Sequence, residues 1–378
     1  MSDSDNQERR KFLKLAGATG AAALLAACGD QAGGDKEAGG PAILNKKRSL
    51  KMVTSWPKHF PGAGTGAERL AKRIFELTEG SLDIRVFGAG ELVPAFGGFD
   101  AVASGKVDFY HGAEYYWQGR SKAFNFFAAV PFGMTATEFA AWIYSDGGQE
   151  LWDALSAPFN IKPFMAGSTG PQMGGWYRNE INSVKDFEGL RIRMPGLGGE
   201  VMERLGATPV TKAGGEIFLA LSQGNIDATE WIGPWNDMAF GFHTIVDYYY
   251  YPGIHEPGTA LGLGINKDLW EELSPSQRSA IENAAAAETI VMRSEYEAQN
   301  GRALVTLIED HGVKLRRFSD EILAEMGRIS IEVLADVAAA DPTTGQIYES
   351  YMASMARTSR WGEISERAFT AARDKLKR

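Results

Sequence analysis

A ten-residue pattern occurs twice in this chain, and it constrains the fold more than any single motif does. Phe99-Asp100-Ala101-Val102-Ala103-Ser104-Gly105-Lys106-Val107-Asp108 returns without a gap as Phe218-Leu219-Ala220-Leu221-Ser222-Gln223-Gly224-Asn225-Ile226-Asp227. Each copy has the form of a helix end, a glycine suited to the left-handed position after the last turn, and a short strand. The same residues also fit a common helix-to-strand turn. Counting on from each aspartate, however, reaches His111 and Glu230 at matching places just past the strands' C-terminal ends, the edge where open α/β sheets bind ligands. The body from Ser49 onward is about 330 residues, more than one hydrophobic core usually serves, so two similar lobes are expected.

Other segments extend the pattern. Leu50–Thr54 runs into Ser55-Trp56-Pro57, Leu82–Val86 into Phe87-Gly88, and Leu190–Met194 into Pro195-Gly196. In the last, Leu190, Ile192 and Met194 alternate with Arg191 and Arg193, so the two arginines share one face. Helices over 62–79 and 199–205 alternate with these strands, the pattern of βα units around a mostly parallel sheet. Ser274-Pro275-Ser276-Gln277 is a capping-box start with proline in the first turn. One long helix to about Asp310 should follow, then a second from about Asp320 to Ala340 and a third from Glu363 to the end.

The front of the chain speaks to location. Arg9-Arg10-Lys11-Phe12-Leu13-Lys14 precedes an Ala/Leu/Gly stretch too short to span a bilayer, and Leu25-Ala26-Ala27-Cys28 follows. Residues 1–28 therefore read as a twin-arginine (Tat) signal with a lipoprotein cleavage box, Cys28 becoming the lipidated first residue. Residues 29–48, with Gly33-Gly34, Gly39-Gly40 and Pro41 among charges, have the composition of a flexible tether. A lipid anchor at the membrane is the expected consequence. The net charge of −9 argues against nucleic acid and leaves any anionic ligand to be held by local positive charge.

Enzyme signatures are missing. The sequence has no Gly-x-Ser-x-Gly, no phosphate-cradling Gly-x-x-x-x-Gly-Lys and no His-Glu-x-x-His, and its one cysteine lies in the export signal. His59, His243 and His311 have no second ligand at transition-metal spacing. What remains suits holding a small acid. Arg193 offers a planar, permanently charged fork that matches a carboxylate. Glu230 would repel such a ligand unless a cation stood between them. With Gln172 and backbone carbonyls as further oxygens, that ion would be hard, sodium or calcium. Trp56, Tyr115, Tyr116, Trp117, Trp231, Trp235 and the run Tyr248–Tyr251 are candidates to line a cleft, although aromatics in strands more often serve the core.

At these residues the chain resembles the solute-binding subunits of TRAP transporters, the DctP-like family. The resemblance rests on Thr169-Gly170-Pro171-Gln172-Met173-Gly174-Gly175-Trp176-Tyr177, Asp186–Arg193, Val201–Gly206, Ala213–Ile217 and Ile226–Pro234. It covers the body from Leu50 to the C-terminus, and Gly90–Pro94 and Tyr250–Gly253 point to the metal-dependent branch that binds 2-oxo or 2-hydroxy monocarboxylates. The resemblance implies a periplasmic two-lobe binding protein, with lobe I at 49–172 completed by part of 267–378, lobe II at 173–266, and a long helix and further C-terminal helices within 267–378, the long helix bracing both lobes. It implies delivery of the acid to TRAP membrane subunits without catalysis, and some members pair as homodimers through C-terminal helices. By motif, Arg193 matches the carboxylate clamp, Gln172, Glu230 and the Trp231 carbonyl match the metal ligands, and Glu256 matches a further acid near the metal. His111 opens the first-lobe segment, with Tyr115, that faces substrate beside Trp56. Glu114 and His255 depart from the pattern and are expected to alter which acid fits. The rival readings are a Tat-exported enzyme and a ligand sensor.

Overall fold

The computed structural model describes residues 47–376, so the expected signal 1–28 with Cys28 and nearly all of the expected tether 29–48 lie outside the described residues. Both copies of the repeated pattern take the form their glycines require. Helix Gly98–Ala103 ends at Ser104, Gly105 turns with φ 72°, and a strand starts at Phe109. Helix Gly214–Ser222 ends at Gln223, Gly224 turns with φ 69°, and a strand starts at Ala228. A side chain with a Cβ is strained at such φ values. The aspartates repeat one job as well. Asp108 N–H donates to Lys51 O and its carboxylate accepts from Lys51 N–H, while Asp227 does the same with Arg191.

Numbered along the chain, the strands are β1 (Arg48–Thr54), β2 (Leu82–Phe87), β3 (Phe109–Gly112), β4 (Ile161–Gly170), β5 (Gly175–Tyr177), β6 (Arg191–Arg193), β7 (Thr208–Val210), β8 (Ala228–Thr229), β9 (Tyr248–Tyr251), β10 (Thr259–Asn266) and β11 (Lys314–Arg317). They form two sheets, β2-β1-β3-β10-β4 and β11-β9-β5-β8-β6-β7. In each, three parallel strands (β2-β1-β3 and β7-β6-β8) meet one antiparallel strand that arrives from the other sheet, β10 or β5. The second lobe thus repeats the order of the first.

Two segments fall elsewhere than expected. The strand Thr259–Asn266, placed by sequence at the end of lobe II, pairs with β3 and β4 in the first sheet. It is buried along its whole length, as a central strand must be. Gly264 makes room there: a Cβ would lie 2.0 Å from the Tyr110 ring. Conversely, β11 from the C-terminal third joins the second sheet beside β9.

The chain therefore crosses between lobes at 170–175 and 251–259. The crossings run side by side: Gln172 N–H donates to Glu256 O, Gly253 N–H to Gln172 O, and Gly174 N–H to Tyr250 O. The long helix is Pro275–Glu309, 35 residues, opened by the reciprocal Ser274/Gln277 capping box. It packs on β4 and helix Ala63–Leu77 in the first lobe and on helix Pro234–Phe240 in the second, so it braces both. Helix Asp320–Ala338 follows as expected. The helix expected from Glu363 is preceded by another, Pro342–Ile364, capped by Asp341 with proline in its first turn; helix Glu366–Asp374 comes last. Among the described residues no helix is long and apolar enough to cross a membrane.

Candidate functional site

Strands β6 and β8 lead to Arg193 and Glu230 in the second lobe, and in the first lobe β1 runs on into Trp56 while β3 contains His111. Arg193, the last residue of β6, is 1% exposed. Its Nη1 donates to the Glu230 carboxylate and to Glu230 O at 3.3 Å, and its Nε donates to Lys212 O at 3.1 Å. Nη2 is buried with no partner. The Trp231 ring lies 5.0 Å from the guanidinium carbon, a cation–π contact that fixes the fork's plane. Arg193 and Glu230, read from sequence as separate anchors, are thus a directly paired buried couple.

Around Glu230 the negative charge accumulates. Ligating atoms of Glu230, His255 and Glu256, all buried, lie within 4.8 Å of one another. His255 Nε2 is 3.3 Å from Glu230 Oε2. Burial disfavours the imidazolium, but Glu230 and Glu256 outweigh it and raise the His255 pKa. Burial, with Glu230 beside it, raises that of Glu256. Gln172, on the first crossing, donates through Nε2 to Glu256 Oε2 at 2.7 Å, Thr259 Oγ1 at 3.1 Å and Thr169 Oγ1 at 3.2 Å. That leaves its carbonyl oxygen Oε1 buried and unpartnered. Two acidic groups, an orphaned amide oxygen and an orphaned guanidinium nitrogen in one buried cluster fit a cation and an anion bound together.

The first lobe supplies a wall. Trp56 Nε1 donates to His111 Nδ1 at 2.8 Å, and His111 Nε2 reaches Ala166 O at 3.2 Å. The ring is therefore the neutral tautomer with hydrogen on Nε2, and burial pushes its pKa down to about 4. Both His111 nitrogens are spent within the lobe, so it holds Trp56 in place. Trp56 meets Trp231 edge to face across the cleft at 6.2 Å. Tyr115 is buried beside Gly196 and feels the charges of Glu256, Glu230 and Arg193. The Tyr116 hydroxyl lies close to Arg193 as well, with burial pushing its pKa up to about 12. Of the remaining aromatics, Trp117 stacks on Tyr110 in the first-lobe core at 4.8 Å, and Tyr249 and Tyr250 are buried in the second sheet.

One expected specificity residue does not face the cleft. Glu114 accepts from Tyr110 Oη at 2.8 Å, next to Gly262 of β10 and Trp152. It belongs to the core of the first lobe, where burial pushes its carboxyl up to about 8. Sequence reading missed it because a strand-edge position does not say which way the following turn points. It also left Thr169 and Thr259 unmarked, since a lone hydroxyl carries no spacing signal.

Comparison with known proteins identifies the family. Residues 52–341 match the model of the bacterial extracellular solute-binding protein family 7. The chain is 39% identical over 362 residues, 96% of its length and 98% of the relative's, to a monocarboxylate 2-oxoacid-binding periplasmic protein of Nostoc sp.. A TRAP solute-binding protein from Pseudoalteromonas atlantica, solved with sodium and pyruvate, is 37% identical, covers 86% of this chain and 99% of its own, and superposes with TM-score 0.84. One from Bordetella bronchiseptica, a mixed-occupancy dimer with calcium and picolinate in one site, is 34% identical, covers 88% and 100%, and gives 0.85. The chain belongs to the bacterial extracellular solute-binding protein family 7.

Proposed function

We propose that this protein is the periplasmic receptor of a TRAP transporter, binding a small 2-oxo or 2-hydroxy monocarboxylate together with sodium or calcium and handing it to the membrane subunits without transforming it. The observation that carries this reading is the buried Arg193 with one unpartnered nitrogen, set beside two glutamates and the unpartnered Gln172 oxygen. The cation-containing pyruvate and picolinate sites of the relatives support it. In this reading Arg193 Nη2 takes the ligand carboxylate, and Gln172, Glu230, Glu256 and the Trp231 carbonyl surround the cation. The cation would offset the charge of the glutamates, so that an anionic ligand is not repelled. Trp56, held by His111, and Tyr115 would cover the ligand and exclude water, strengthening every charge interaction inside. Cys28, if lipidated, would keep the receptor at the membrane, and the Bordetella dimer supports a homodimer here.

The test is equilibrium binding of pyruvate in calcium to the wild type, Arg193→Lys and Arg193→Ala. Lysine keeps charge but loses the fork, so affinity should fall at least ~10-fold, and alanine should abolish binding. Thermal unfolding checks that each variant is folded. Wild-type affinity in a folded Arg193→Ala protein would remove the assignment.

A further inference from the structure

Helix Pro234–Phe240 carries a second buried acid that the ligand-holding set does not include. Asp237 is 1% exposed and accepts hydrogen bonds on both oxygens. Oδ2 takes the Trp176 indole N–H at 3.0 Å and the Tyr249 hydroxyl at 2.7 Å, from rings stacked 4.0 Å apart on β5 and β9. Oδ1 takes the backbone N–H of Ile232 at 3.2 Å and of Gly233 at 3.1 Å. One carboxylate thus fastens the segment after Glu230 to the middle of the second sheet.

The consequence follows from peptide planarity. The Ile232 N–H and the Trp231 C=O belong to one trans peptide unit and point in opposite directions. Whatever grips that N–H aims that carbonyl. The neighbouring units are fixed too: Glu230 N–H donates to Arg193 O, and Ile232 O accepts from Met173 N–H at 3.0 Å. None of these bonds uses the Trp231 oxygen. A carboxylate behind the amide also polarises the carbonyl in front of it, making it a stronger cation ligand.

We infer that Asp237 is a positioning residue of the cation site, holding the Ile232 N–H so that the Trp231 carbonyl faces the ion. This rests on the cation site proposed above. Asp237 bears on the ion only through the peptide between them, so its loss should weaken calcium more than pyruvate.

The experiment uses Asp237→Asn in the intact protein, with amide hydrogen exchange and calorimetric titration of calcium in saturating pyruvate. Exchange at Ile232 and Gly233 should accelerate by at least ~10-fold, because an amide is a weaker acceptor than a carboxylate. The calcium Kd should rise by at least ~10-fold, with pyruvate affinity at saturating calcium within roughly threefold of wild type. Tyr249→Phe removes a single donor and covers the case in which the first variant does not fold; there the calcium Kd should rise by roughly two- to fivefold. Unchanged exchange at Ile232 and Gly233, or unchanged calcium Kd in a folded variant, overturns the inference. A purely structural role would lower the unfolding temperature and leave the calcium Kd alone, which also overturns it. Accelerated exchange in a protein whose wild type takes no calcium would leave Asp237 gripping the loop but sink the cation site itself, and the aiming role with it.

Discussion

Glu114→Gln should stabilise this protein at neutral and alkaline pH and leave its ligand affinity unchanged. The wild-type carboxyl is wholly buried, accepts from Tyr110 Oη and sits beside the Trp152 indole, and burial outweighs both contacts and pushes its pKa up to about 8 from an ordinary value of 4.5. Because the folded-state pKa is raised, the folded protein holds a proton that the unfolded chain releases between those values. Stability therefore falls as pH rises through this window, reaching its lowest level above the folded pKa. At 1.36 kcal/mol per unit, the loss is near zero at pH 4, about 2 kcal/mol at pH 6 and about 4 kcal/mol at pH 8. Glutamine keeps an oxygen for Tyr110 and has no charge to exclude, so it should escape the loss. Urea unfolding of both proteins at the three pH values measures the difference directly. A difference that stays constant with pH would refute the argument. A changed pyruvate affinity would restore Glu114 to the cleft.

Two further substitutions probe packing and closure. Gly264→Ala would drive a Cβ to 2.0 Å from the Tyr110 ring inside a central strand, so it should cost about 3 kcal/mol in urea unfolding at any pH. Asn236 donates to Pro61 O at 3.1 Å across the cleft and accepts from Tyr296 Oη at 2.8 Å on the brace helix. Removing the amide leaves Pro61 O without its partner from the second lobe, so Asn236→Ala should penalise the closed form by about 1–2 kcal/mol. That corresponds to a pyruvate Kd raised roughly 5- to 30-fold, expressed as faster release in stopped-flow measurements.

The parts of this molecule legible in sequence are those whose signal is local. The capping box at Ser274, the left-handed glycines Gly105 and Gly224 and the alternation around Arg193 each encode their geometry within a few residues. Motif order marks Gln172, Arg193, Glu230 and Glu256, and the fold links them in one buried cluster. What sequence could not show depends on the chain's return path. Thr259–Asn266 lies late in the chain yet completes the first sheet, because a second crossing beside Gln172 carries it back. The direction of Glu114 depends on that same strand, whose Gly262 leaves the space it fills. Asp237 was invisible for a related reason, since its four donors come from three separate segments. Helix Pro342–Ile364 is the exception, because its start, Asp341-Pro342, is a local signal of the same kind.

The central claim is that a small monocarboxylate and a cation are held together in the cleft. Calorimetric titration of the wild-type protein with pyruvate tests it most directly, run in calcium, in sodium, and in chelator with neither ion. Binding that appears with either cation and vanishes without both is the predicted result. Equally tight pyruvate binding in their absence, or no binding under any condition, would contradict it.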